Sequence, residues 1–157
     1  MKHEKTGPLS GTKLDHIAIA VNNLDRARKV YEDLGLKFES EAEVVESEGV
    51  VTLFAPLSPH GHSGAEHLEL LAPYGESGPI HQYLDKKGEG IHHICLRVDD
   101  IDQMCLQLEQ KGYRLIYKTP KIGARNMRVN FIHPKSTGGV LIELATCQIA
   151  NQIGEKK

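Results

Sequence analysis

Residues 14–25 and 91–102 are two versions of one segment. LDHIAIAVNNLD and IHHICLRVDDID superimpose at an offset of 77, which sets His16 over His93, Asp25 over Asp102 and, further along, Gly35 over Gly112. A register kept through about 22 residues, across a strand, a turn and a helix, marks a duplicated unit rather than shared composition.

Each copy begins as an alternating strand, His16 to Val21 and His93 to Val98. Ile17, Ile19 and Val21, or Ile94, Leu96 and Val98, share one face, so His16 and His93 point to the other. His92 is expected to face away from His93 and to serve a structural or supporting role. An Asx-rich turn, Asn22-Asn23 or Asp99-Asp100, then caps a helix that ends near Gly35 or Gly112. Leu24, Ala27, Val30, Tyr31 and Leu34 in the first helix, and Ile101, Met104, Cys105 and Leu108 in the second, have the spacing of core stripes. Three apolar runs follow each helix: Leu36 to Phe38, Val50 to Phe54 and His67 to Leu71, then Arg114 to Tyr117, Val129 to Ile132 and Val140 to Leu144. Each copy is therefore βαβββ, and the class is α+β. Two such modules, 13–74 and 90–147, form an open eight-stranded cup with helices on one side and a ligand-accessible inner face. The stretch 75–89, rich in Pro and Gly around a short helical run Ile80 to Leu84, is the linker, and 1–12 and 148–157 are expected to be flexible tails.

At 157 residues the domain can bury about 70% of its unfolded surface without staples. Cys95, Cys105 and Cys147 are odd in number and lack CxxC or CxxH spacing, which favours a reducing compartment, the cytoplasm, over a disulfide framework or a zinc ribbon. A formal charge of -2 with no long basic run argues against nucleic acid. No apolar stretch approaches the ~20 residues of a membrane span, and the first residues lack the apolar core of a signal peptide.

The repeat also aligns the polar residues that the inner face requires. His16 and His93 stand on the first strands, and Glu69 (in Leu68-Glu69-Leu70) and Glu143 (in Ile142-Glu143-Leu144) on the last. Taken singly, each could be a solvent-facing strand residue. Together they make a chelating set for a divalent cation, and mixed nitrogen and oxygen donors suit Co(II), Mn(II), Zn(II), Ni(II) or Fe(II). Two neutral imidazoles and two carboxylates would cancel the +2 charge, leaving a moderate Lewis acid better suited to an enolate than to strong activation of water.

The βαβββ duplicate with one His and one Glu per half resembles the vicinal oxygen chelate superfamily and, within it, the methylmalonyl-CoA epimerase family. The match is carried by residues 14–21, 68–73, 77–80, 88–94 and, most specifically, 131–144 (FIHPKSTGGVLIEL), and covers nearly all of 13–146. The resemblance implies metal ligands at His16, Glu69, His93 and Glu143, with Co(II) expected and Zn(II), Mn(II) or Ni(II) as further candidates. It implies epimerisation of (R)- and (S)-methylmalonyl-CoA by 1,1-proton transfer through a metal-stabilised enolate, in propionyl-CoA metabolism. Glu143 would be one proton-transfer group. The second aligns with Thr52, a poor base, and Glu46, Glu48 or a water held by Thr52 are the alternatives. An acyl-CoA substrate needs cations for its phosphates, for which Lys121, Arg128 and Lys135, with Arg125 beside them, are candidates against the competing reading of a solvated basic rim. The family implies a homodimer. His60 and His62 have metal-like spacing but sit in a Gly/Ser/Pro loop, 57–65, where solvation is the simpler reading. Two other functions fit the same fold: a glyoxalase-I-like (lactoylglutathione lyase) isomerase acting on glutathione hemithioacetals, against which the HPKSTGG turn argues, and a non-catalytic ligand-binding protein, against which retention of all four ligands argues.

Overall fold

The structure, a computed structural model, describes residues 11–58 and 66–148. The tails and the His60 and His62 loop therefore lie mostly outside the described residues. The elements are β1 (Lys13–Ala20), α1 (Leu24–Asp33), β2 (Glu43–Val45), β3 (Val50–Pro56), β4 (His67–Pro73), α2 (Pro79–Lys87), β5 (Gly90–Arg97), α3 (Ile101–Gln110), β6 (Lys121–Ile122), β7 (Met127–Ile132) and β8 (Ile142–Cys147). Short 3-10 turns fill Glu46–Glu48, Ala124–Asn126 and Pro134–Ser136.

The helix boundaries follow the expected chemistry in both copies. The Asn23 and Asp100 side chains accept hydrogen bonds from the backbone N–H of Arg26 and Gln103, and Gly35 (φ 97) and Gly112 (φ 87) take the left-handed conformation just past the two helix ends. Two apolar runs differ from expectation. Leu36 to Phe38 and Arg114 to Tyr117 are not ladder strands; Leu36 and Phe38 pack into the cluster under α1, and Leu115 into that under α3 with a single bridge to Ile132. Leu36, Phe38 and Leu115 thus serve the packing under a helix, while 114–117 borders β7 without forming a regular ladder, through Ile116 N–H to the Phe131 carbonyl and His133 N–H to the Arg114 carbonyl, both 2.8 Å. The first edge strand is instead Glu43–Val45, the last is Lys121–Ile122, and most of the linker is α2.

All eight strands form one sheet in the order β2-β3-β4-β1-β5-β8-β7-β6. The antiparallel pair β1 and β5 joins the modules at the centre, and β1 with β4 and β5 with β8 run parallel. On one face α1 and α3 cover Val21, Leu68 and Leu70, and Val98, Ile132 and Leu144. The other face curls inward, lined by Ala18, Ala20, Val50 and Leu71 of one module and Cys95, Met127, Val129 and Ala145 of the other. Its two ends meet: the Tyr117 hydroxyl donates to Glu48 (2.7 Å), and the backbone N–H of Arg125 donates to Glu43 (2.9 Å). No helix among the described residues is long and apolar enough to cross a membrane.

Candidate active site

Strand register alone brings the four chelating candidates together. Ala18 pairs with both Glu69 and His93, and Cys95 pairs with both His16 and Glu143, so all four side chains leave the two central strands and their neighbours on the concave face. All four are buried. His16 Nε2 lies 3.0 Å from Glu69 Oε2, 3.3 Å from Glu143 Oε2 and 3.2 Å from His93 Nε2, and His93 Nε2 lies 2.7 Å from Glu143 Oε2. His16 Nδ1 is taken up by Asp15 (2.7 Å), which turns Nε2 toward the others. Glu69 Oε2 has no hydrogen-bond partner at this point.

Two carboxylates and two imidazoles converging in a buried space require positive charge. Burial lowers the His16 pKa, but contacts with Asp15, Cys95, Glu143 and Glu69 outweigh it and raise it far above the usual imidazole range. Burial likewise raises the Glu143 pKa, yet hydrogen bonds from His16 and His93 carry it below the ordinary carboxylate range. The cluster thus attracts either a proton or a cation, and His16, Glu69 and His93 already have donor atoms close enough to share one ion. Cys95, directly beneath His16, stays a thiol, its pKa pushed up to about 12 chiefly by burial.

Above the cluster opens a cleft of about 520 Å³, lined by Glu48, Thr52, Glu69, His93, Phe131 and Glu143 among others. Thr52 is buried with its hydroxyl unpartnered, pointing from β3 into the same space. Glu46 and Glu48 lie on the 3-10 turn before Gly49, whose left-handed backbone (φ 64) ends it. That turn leaves Glu46 exposed and brings Glu48 into the cleft. Burial raises the Glu48 pKa, a shift that the Tyr117 hydroxyl only partly offsets.

The candidate phosphate-binding cations do not converge. Lys121 places its Nζ 4.1 Å from the centre of the Tyr117 ring, beside the Glu48 contact. Lys135 is exposed on the turn that follows β7. Arg128 corrects the expectation: Val129 faces the cleft, so Arg128 alternates to the helix-covered side, where it is bidentate to Asp102 at 2.6 and 2.8 Å. Arg125 lies behind the cluster, paired with Asp15 and 4.2 Å over the Phe54 ring. His92 also departs from expectation, since its ring turns toward His93 with the two Nδ1 atoms 2.9 Å apart.

Residues 15–131 match the family model described as Glyoxalase/Bleomycin resistance protein/Dioxygenase superfamily. Over 139 residues the chain is 41% identical to the mitochondrial methylmalonyl-CoA epimerase of Dictyostelium discoideum, covering 88% of this chain and 80% of that one. Methylmalonyl-CoA epimerase from Mycobacterium tuberculosis superimposes with a TM-score of 0.78 at 42% identity, over 87% of this chain and 88% of its own. A variant of the Streptomyces coelicolor methylmalonyl-CoA epimerase, in complex with 2-nitronate-propionyl-CoA, gives 0.80 at 35% identity, over 87% and 98% of the two chains.

Proposed function

The chain belongs to the glyoxalase/bleomycin resistance protein/dioxygenase superfamily and, within it, to the methylmalonyl-CoA epimerase family, and from that premise we propose that it interconverts (R)- and (S)-methylmalonyl-CoA with a divalent cation held by His16, Glu69, His93 and Glu143. The observation that carries the reading is the convergence of these four buried donors, one His and one Glu from each half of the repeat, with Glu69, His93 and Glu143 lining the cleft above.

The proton to be moved sits on the carbon between a thioester carbonyl and a carboxylate. Inversion requires a proton acceptor on one face of that carbon and a donor on the other. Glu143 enters the cleft from β8 and Glu48 from the far edge of the sheet, so the two carboxyls approach an intervening carbon from different modules. The lowered pKa of Glu143 suits it to hold no proton before the substrate arrives, and the raised pKa of Glu48 suits it to hold one. Thr52, without a partner of its own, is placed to donate a hydrogen bond to substrate or to a water beside Glu48. A divalent ion in the cluster would supply the charge that offsets the developing enolate, a contribution of several kcal/mol. Cobalt(II) is the expected ion, and a cytoplasmic homodimer belongs to the same reading. Of the candidate cations for the phosphates of an acyl carrier, the proposal keeps Lys121, beside the Tyr117 and Glu48 contact, and the exposed Lys135.

Proton NMR of methylmalonyl-CoA in deuterated water, with chelator-stripped protein before and after cobalt(II), tests the proposal. The α-proton should exchange and the diastereomers interconvert only in the loaded state. Metal binding without exchange would transfer the site to another substrate, glutathione hemithioacetals first. Thr52→Ala is expected to slow turnover modestly, and a loss beyond ~1000-fold, about 4 kcal/mol of barrier, would make its hydroxyl a principal participant.

A further inference from the structure

Asp15 and His92 should not be where they are. In unbroken strands each would project to the face opposite its neighbouring histidine. Both are instead extra residues in β-bulges. Between β1 and β5, Leu14 pairs with Leu96 and His16 with Cys95, which leaves Asp15 unpaired; Ala18 pairs with His93 and Ile19 with Ile91, which leaves His92 unpaired. The two bulges are equivalent under the offset of 77, and each lets a residue share the face of the histidine that follows it. Asp15 Oδ2 thereby reaches His16 Nδ1 at 2.7 Å, and His92 Nδ1 reaches His93 Nδ1 at 2.9 Å.

From this geometry we infer that Asp15 and His92 are paired positioning residues: each accepts the Nδ1–H of its histidine, so that both Nε2 atoms stay unprotonated and aimed at the cation. The inference rests on the metal-dependent reading above. Hydrogen bonding of the second ring nitrogen fixes the tautomer and the angle of a ligating imidazole, and an anionic acceptor also makes it a stronger donor.

The repeat has kept the position and changed its chemistry. Asp15 is a carboxylate, 1% exposed, held from behind by the guanidinium groups of Arg97 and Arg125. His92 is a neutral acceptor, packed edge-on against the Tyr83 ring, whose hydroxyl is anchored on the Ile91 carbonyl. The two histidines are therefore unequal ligands, with His16 the stronger. Were Asp15 only a counter-ion for Arg97 and Arg125, its loss would weaken the fold and leave the tautomer of His16 and the affinity for metal unchanged.

The test uses the full chain and two readouts that do not depend on turnover. Cobalt(II) dissociation constants are measured by competition with a chromophoric chelator for the parent, Asp15→Ala, Asp15→Asn and His92→Ala, with circular dichroism as the check on folding. The Nδ1–H hydrogen bonds of the two histidines are read from proton–nitrogen NMR of the zinc(II)-loaded parent and variants. Asp15→Ala is expected to weaken cobalt binding toward 100-fold, and His92→Ala nearer 10-fold, the range found for such supporting partners. Asp15→Asn, which keeps an acceptor oxygen but no charge, should fall between the parent and Asp15→Ala. In the parent the Nδ1–H protons of His16 and His93 should be shifted downfield and protected from solvent exchange, that of His93 with a coupling through the hydrogen bond to His92 Nδ1. Affinities within twofold of the parent in folded variants would overturn the inference while leaving the metal-dependent reading standing, as would Nδ1–H protons in the loaded parent that exchange freely with water and show no hydrogen-bonded downfield shift. The parent spectrum decides this even if Asp15→Ala fails to fold. A parent that binds no divalent ion would remove both readings.

Discussion

Glu143→Gln is expected to abolish turnover, with a loss of at least ~1000-fold or about 4 kcal/mol of barrier, while the protein stays folded. The carboxylate lies 2.7 Å from His93 Nε2 and 3.3 Å from His16 Nε2 and lines the cleft, so one side chain is proposed both to ligate and to take the α-proton. An amide of the same shape keeps the packing but has neither the charge nor the basicity. Removing a buried carboxylate also leaves the two imidazoles with less anionic company, which lowers the His16 pKa toward its ordinary range and weakens the attraction for a cation. The check is the rate of diastereomer interconversion at saturating cobalt(II), with the metal dissociation constant measured alongside. If the metal-saturated variant turns over near normally, Glu143 is a ligand at most and proton transfer belongs elsewhere. His93→Ala, which removes a ligand without touching either carboxyl, should lose activity together with metal binding.

The convergence of His16, Glu69, His93 and Glu143 was legible because two constraints coincide on them. The repeat makes them equivalent in pairs, and strict alternation puts the members of each pair on one face of a strand. Where alternation fails, legibility fails with it. Asp15 and His92 look outward-facing in the linear pattern, and only the pairing of β1 with β5 reveals the bulges that turn them in. Arg128 is the converse case, a cation whose neighbour Val129 had already claimed the inner face. Glu48 was legible only as one of several alternatives, for a third reason. It sits in a segment short enough to pass for the start of a strand, and a single left-handed residue, Gly49, converts that segment into a turn that aims Glu48 inward. The apolar runs at Leu36 and Arg114 were misleading as strands because burial under a helix and burial in a ladder demand the same side chains.

Glu48→Gln separates the two faces of the reaction. With Glu143 and Glu48 on opposite sides of the α-carbon, loss of Glu48 should stop inversion, by about 100- to 10,000-fold as for other positioned acid–base groups. It should not stop Glu143 from removing and returning a proton on its own side. In deuterated water one diastereomer is therefore expected to exchange its α-proton without inverting, while the other does neither. The pH dependence follows from the same assignment. Inversion in either direction needs one proton on the pair, and because burial raises the Glu48 pKa while a bound cation would hold that of Glu143 down, the proton rests on Glu48. As pH rises through the elevated Glu48 pKa, above its ordinary 4.5, that proton is lost and kcat/KM for inversion falls. As pH falls through the depressed Glu143 pKa the acceptor is filled, and the rate falls again. In the Glu48→Gln protein the alkaline fall should vanish from the residual exchange, because Glu143 then works alone and only needs to be ionised. Exchange of both diastereomers in that variant, or inversion at the parental rate, would show that the second proton is delivered by another group, with the water beside Thr52 next in line.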